Sequence, residues 1–164
     1  PVLPVIGVPV DEVMRVFDQV MRVNAFGTYL VSVLAGQQMA TQTEKDGERG
    51  CIINTSSIFA KHADFIYSGY ASSKGAVSSM TLPLARDFAI HKIRLNAIAP
   101  GYFKTHMTSH APQPEQDYYK SQSTTLALGE PEQFAHLVGA IVENKYISGT
   151  ILRLDAGQVG ASFK

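Results

Sequence analysis

The stretch "CIINTSSIFAKHADFIYSGYASSKGAVSSM" (51–80) contains both halves of a parallel α/β unit. It opens on "CIINTSS" (51–57), a short β-rich run in which apolar and polar residues do not alternate. A strand with one face in water alternates; a strand covered on both faces does not. From about Gly69 to Ala89 the composition turns helical, which predicts a long helix after the strand. Parallel strands need a crossover between them, and a helix is the usual one.

Working outward, the same order repeats. "IRLNAIAPG" (93–101) reads as a second strand ended by Pro-Gly, and "GTILRLDAG" (149–157) as a last one. Between them "EPEQFAHLVGAIVEN" (130–144) predicts a helix with Pro131 in its first turn. Upstream, Val13, Val16, Phe17, Val20, Val23, Phe26, Gly27, Leu30, Val31 and Leu34 recur at three- and four-residue steps, which predicts one helix over 11–40. Asp11 and Glu12 suit its N-terminus by charge. "TEKDGERG" (43–50) is a polar turn, and the proline-bearing first nine residues have no period. Residues 102–128 are polar and mixed, too long for a plain connection, and should hold short helices and mobile loop. Helix, strand, helix, strand, helix, strand implies a parallel sheet. Three strands make a thin one, so the architecture reads as incomplete at one edge.

The bulk numbers narrow the function. A chain of 164 residues with 45% apolar and 17% charged residues fits one globular domain. Its formal net charge of zero provides no basic field for a phosphate backbone, which argues against nucleic acid as a partner. No apolar run reaches the length of a membrane span. The single cysteine, Cys51, excludes an intrachain disulfide framework and reads as core rather than nucleophile. "PVLPVIGVPV" (1–10) lacks the basic region of a signal peptide.

Tyr70 and Lys74 stand four apart, one above the other on a helix. A free phenol has a pKa of about 10 and is a poor base at neutral pH. A cation held close favours the phenolate and lowers that value, which makes an acid/base device. The bland alternative is a lysine stem covering a ring. Ser57 ends the preceding strand, where ligands bind in open α/β sheets. Tyr67 lies seven before Lys74, at the loose start of the helix. His106 and His110 have a metal-compatible spacing but no evident third ligand, so no metal is expected. Arg153 and Asp155 can form an ion pair on the last strand, and Gly27 and Gly75 should mark close helix packing.

Taken in order, these segments resemble the short-chain dehydrogenase/reductase family. "RVNAFGTYL" (22–30) is similar to its asparagine helix, "IINTSS" and "YASSK" to its serine strand and Tyr-x-x-x-Lys helix, and "IRLNAIAPGYFKT" (93–105) to the strand and turn beside the nicotinamide. "SGTILRLDAG" (148–157) is similar to the closing strand. The resemblance covers about residues 17–157 and implies a catalytic set of Asn24, Ser57, Tyr70 and Lys74. Lys74 would then serve Tyr70, lowering its pKa and holding the nicotinamide ribose. Ser57 would hold the substrate oxygen, and Asn24 would position a relay water. Pro100, Gly101 and Thr105 would bound the nicotinamide, and Tyr67 would line the substrate pocket.

"MTLPLARDFA" (80–89), "LGEPEQFAHLVGAIVEN" (128–144) and "ILRLD" (151–155) are similar to the family's type-2 3-hydroxyacyl-CoA dehydrogenase subgroup. That implies NAD as cofactor, with NADP not excluded, and a small alcohol or ketone substrate, such as a hydroxyacyl-CoA or hydroxysteroid. It also implies a mitochondrial location, with the cytoplasm as the alternative. The family's Thr-Gly-x-x-x-Gly-x-Gly turn does not occur in this sequence; "GERG" (47–50) and "GQVG" (157–160) have the wrong spacing. The expected fold is therefore the C-terminal part of a doubly wound, parallel-sheet, Rossmann-like α/β domain without its N-terminal dinucleotide-binding strands. Residues 1–16 would form an irregular start without family resemblance, and 17–164 the domain. Alone, such a chain should bind the cofactor weakly or not at all. The family's helices corresponding to 11–40 and 69–89 pair across a dimer, which implies a homo-oligomer or pairing with a full-length homologue.

Overall fold

In the computed structural model, which describes residues 2–158, the chain starts with helix α1 (Val10–Val20). A π-helical segment (Met21–Phe26) leads directly into α2 (Gly27–Ala40). Strand β1 (Gly50–Thr55), the short helix α3 (Phe59–His62) and the long helix α4 (Ser68–Ala89) follow. Then come β2 (Ile93–Pro100), α5 (Gln113–Gln122), α6 (Pro131–Glu143) and β3 (Ile151–Leu154). Residues 159–164, the end of the domain expected over 17–164, lie outside the described residues. Helix α1 already begins at Val10, so residues 10–16 of the expected irregular start are helical. No described helix is long and apolar enough to cross a membrane.

The α/β architecture with a parallel sheet is the one expected. Its three strands lie in the order β1-β2-β3. Gly50 faces Ile93 and Thr55 faces Ile98 on one side of β2, while Ala97 faces Ile151 and Pro100 faces Leu154 on the other. Central β2 is buried from Ile93 to Ala99, which explains why its sequence does not alternate. One face is held by α4: Leu95 packs with Leu84 and Ala85, backed by Ile52, Met80 and Phe88. On the other face Arg94 donates to the Ile141 carbonyl (2.8 Å), the Val142 carbonyl (3.0 Å) and the Ile147 carbonyl (2.9 Å), and pairs with Glu48 (2.7 Å). The last carbonyls of a helix have no partner within it, so one guanidinium closes the end of α6 and ties it to the sheet.

The expected single helix over 11–40 needs correction in its middle. Val16 and Val20 point inward, as the apolar period requires. At the π segment the Gly27 N–H reaches back five residues, to the Arg22 carbonyl. One extra residue in a turn rotates everything beyond it by about 100°. The inward positions become Ala25, Ser32 and Gly36. Val23, Phe26, Leu30, Val31 and Leu34, the large apolar residues of the expected stripe beyond Val20, are exposed. The small residues bring α2 in close: Ser32 hydrogen-bonds Asn54 of β1, and a Cβ at Gly36 would lie 2.7 Å from the Phe88 ring. The close packing expected at Gly75 is absent, since a Cβ there would make only ordinary contact with the Ala60 carbonyl at 3.7 Å.

Candidate active site

The candidate site lies at the C-terminal end of β1, under the first half of α4. Parallel pairing continues past the strand: Ser56 N–H donates to the Ile98 carbonyl (2.8 Å) and Ile58 N–H to the Pro100 carbonyl (3.1 Å). Ser57 is therefore held beside the end of β2. Its hydroxyl oxygen accepts the Phe59 N–H (3.1 Å), which leaves its own proton for another partner.

Tyr70 sits in the first turn of α4, half-buried among aromatic rings. Phe59 meets Tyr67 edge-on at 4.9 Å and Tyr70 at 6.4 Å, and Tyr67 lies 6.4 Å from Tyr70. Tyr119 of α5 stands 6.0 Å from Phe59 and stacks on Tyr102 at 4.5 Å. Burial pushes the Tyr70 phenol up from its ordinary value; neighbouring Ser57 pulls it partly back, and Tyr67 adds to the rise. The Lys74 ammonium lies 5.9 Å from the Tyr70 ring centroid and donates to the Thr55 carbonyl at 2.9 Å. Burial lowers the Lys74 pKa. The expected lowering of Tyr70 by Lys74 is therefore not what the structure has: the cation faces the ring, its hydrogen bond goes to the strand end, and desolvation of the phenol dominates.

Asn24 falls inside the π segment. Its amide donates to the Ser73 hydroxyl (3.0 Å), which in turn donates to the Tyr70 carbonyl (2.7 Å). Asn24 thus reaches the Tyr-Lys turn through Ser73. Gly101 N–H bonds the Leu154 carbonyl (2.9 Å), and a Cβ at Gly101 would come within 2.9 Å of the Asp155 Cβ, so packing against the turn after β3 already demands glycine. Thr105 is exposed in a separate turn, its N–H on the Thr108 hydroxyl (2.9 Å). The structure brings Ser57, Tyr70 and Lys74 together, adds Asn24 through Ser73, and sets Pro100 alongside. No hydrogen bond among the described residues joins Thr105 to that group. Sequence reading missed Phe59, Tyr102 and Tyr119; the one signal was an aromatic pair, Tyr118-Tyr119, in an otherwise polar helix. An apolar cavity of about 390 Å³ abuts Tyr70, lined by Val13, Phe17, Val20, Ile66 and Gly69 among others.

A family model described as enoyl-(acyl carrier protein) reductase matches residues 9–158. The chain belongs to the short-chain dehydrogenase/reductase family. Within this short-chain dehydrogenase/reductase family it is 40% identical over 141 residues to 3-hydroxyacyl-CoA dehydrogenase type-2 of Drosophila melanogaster, covering 85% of this chain and 55% of that one. The Homo sapiens protein of the same name is 39% identical, with 85% and 54% covered. The crystal structure of a 3-hydroxyacyl-CoA dehydrogenase type-2 from Mycobacterium avium superposes with a TM-score of 0.90 at 29% identity, over 96% of this chain and 62% of that one. The chain thus spans about half the length of the curated dehydrogenases it matches.

Proposed function

We propose that this chain carries the proton-transfer half of an oxidoreductase acting between NAD(H) and a secondary alcohol or ketone. The observation that supports this most is the meeting of Ser57, Tyr70 and Lys74 at one strand end. The donor chemistry fits a nicotinamide dinucleotide. A lysine ammonium has three N–H donors, and Lys74 places one on Thr55, so others remain for ribose hydroxyls. Pro100, Gly101 and Thr105 would bound the nicotinamide. When bound, the dinucleotide supplies or accepts the hydride.

The chain's own residues handle the proton. Ser57, whose hydroxyl neighbours Tyr70, donates its proton to the substrate oxygen and fixes its position. Tyr70 protonates that oxygen in reduction and takes the alcohol proton in oxidation. The Lys74 ammonium, 5.9 Å from the Tyr70 ring centroid, stands beside the phenol that carries the proton. Asn24, held by Ser73, places a water for proton exchange with Lys74. The apolar cavity beside Tyr70 and the type-2 relatives together favour a substrate with an apolar body, such as the acyl chain of a 3-hydroxyacyl-CoA or a hydroxysteroid.

The test is an NADH titration of the purified chain read by NADH fluorescence, which the absence of tryptophan leaves clean. Weak but saturable binding supports the reading, further weakened about tenfold in Lys74→Ala, the usual worth of a charge-assisted hydrogen bond. No binding up to millimolar NADH overturns the reading for this chain alone.

A second reading has its own support: the chain acts as a subunit that associates without catalysing. Val23, Phe26, Val31 and Leu34 present a continuous apolar face to solvent. Mixing with a full-length homologue and measuring native mass checks it, and the absence of mixed species rejects it.

A further inference from the structure

We propose that Ser56 and Ser78 are positioning residues, a pair of hydroxyls that clamps the strand end carrying Thr55 and Ser57 to the turn of α4 carrying Tyr70 and Lys74. This rests on the acid/base role proposed for that turn.

Three consecutive residues at the end of β1 each engage α4 differently. The Thr55 carbonyl accepts the Lys74 ammonium at 2.9 Å. The Ser56 hydroxyl donates to the Lys74 backbone carbonyl at 3.0 Å. Ser57 stands at Tyr70. Only the middle contact joins the strand end to the helix backbone, so it sets the spacing at which the other two operate. The Ser56 hydroxyl has one proton, and that proton goes to Lys74. The 2.7 Å contact between the Ser56 and Ser78 hydroxyls must then run with Ser78 as donor. The result is a directed relay, from the Ser78 hydroxyl to the Ser56 hydroxyl to the Lys74 carbonyl.

Ser56 is only 1% exposed. A buried hydroxyl is costly unless bonded, and an alanine there would pack without that need. The bond is not required to complete the helix either. Lys74 lies in the interior of α4, where each carbonyl already takes an intrahelical N–H, and Ser56 uses the second lone pair. On the other flank Ser73, fully buried, holds the Asn24 amide and the Tyr70 carbonyl. The Lys74 turn is thus gripped on both sides by buried serine hydroxyls, and Ser56 provides the grip on the strand side.

The experiment reads Lys74 itself, in the intact chain, without cofactor or substrate. Amine labelling with acetic anhydride across pH, quantified by mass spectrometry of the Lys74 peptide, gives its titration midpoint. Burial is what lowers that midpoint in the parent, and the neighbouring titratable group is the Tyr70 phenol on the same helix. If the clamp holds the ammonium against Thr55, Ser56→Ala moves the midpoint by about half a pH unit or more, up where entering water outweighs the loss of the Thr55 bond and down where it does not. Ser78→Ala moves it the same way by less, the double variant matches Ser56→Ala, and Ser56→Thr, which keeps the hydroxyl, restores the parent value. A loss of packing alone lowers the melting temperature without moving the midpoint or being rescued by threonine. An unchanged midpoint in folded Ser56→Ala overturns the clamp. Should that variant not fold, an unchanged midpoint in Ser78→Ala, whose side chain is only half-buried, overturns it. Because the readout needs no NADH, a chain that fails to bind NADH yet shows the shift refutes the dehydrogenase reading and leaves the clamp standing.

Discussion

Tyr70 is pushed by its surroundings away from the value a general base needs, and the sign of that push has consequences. A raised folded pKa means the phenol stays protonated, so under the proposed acid/base role oxidation, which needs the phenolate, should accelerate with pH through the neutral range and beyond about 10, the ordinary tyrosine value. Reduction, which needs the phenol, should stay flat over the same range. Replacing Tyr70 by Phe keeps the ring against Phe59 and Tyr67 but removes the proton. Under the proposed role, turnover should fall by about 10²–10⁴ with the circular dichroism spectrum unchanged. Linkage follows from the same sign. Tyr102 is raised to about 12, and Tyr70 and Tyr119 are raised as well, chiefly by burial. Groups raised on folding contribute stability that is complete below their unfolded value and lost as pH climbs through the folded one. Urea midpoints should therefore drop between pH 10 and 12, and less steeply in Tyr119→Phe. At this scale the Tyr-Lys spacing was legible, because a helix fixes which residues share a face. The Thr55 partner of Lys74 was not, because a backbone carbonyl leaves no mark in side-chain identity.

At the scale of the element, strands and helix ends read well from sequence because Pro-Gly at 100–101, Pro131 and the unbroken β-rich runs act through local sterics. The π segment did not. A single extra residue in one turn has no compositional signature, yet it turns a different side of α2 to the core. Gly36 tests this assignment. Alanine in a helix interior gains about 1 kcal/mol over glycine, whereas forcing extra atoms into a packed contact costs about 1–3 kcal/mol. With Phe88 2.7 Å from the missing Cβ and backed by the Leu84–Leu95 cluster, Gly36→Val should destabilise by about 2 kcal/mol in urea unfolding. If α2 kept the register of α1, the same change would be nearly silent. The cap on α6 provides a second test. Glu48 is held below its ordinary 4.5 chiefly by its hydrogen bond to Arg94. A lowered carboxylate contributes stability that is present above the unfolded value and lost as pH falls through the folded one. Glu48→Gln should cost about 1.5–3 kcal/mol at pH 7 and remove that part of the acid sensitivity below pH 4.5.

For the whole molecule, what stands out is what the described residues leave uncovered. Both outer strands of the sheet have one unpaired side, and the face of α2 turned outward by the π segment carries Phe26, 65% exposed, and Val31, 64% exposed. Contiguous apolar surface of this kind is seldom left in water by a monomer. Periodicity predicted an apolar stripe here but not that it would point outward, since the stripe was counted in phase with Val16 and Val20. A symmetric interface places the same patch on both partners, so one charged substitution acts twice per contact. Phe26→Lys combined with Val31→Lys sets four ammonium groups into such an interface, and each buried unpaired charge costs several kcal/mol. The parent chain should therefore sediment as a dimer or larger species at micromolar concentration, and the double variant as a monomer with an unchanged circular dichroism spectrum. Both side chains point away from the core, so loss of association in the variant cannot be ascribed to unfolding. A parent chain that is monomeric at every concentration would mean that this face does not pair with its own copy.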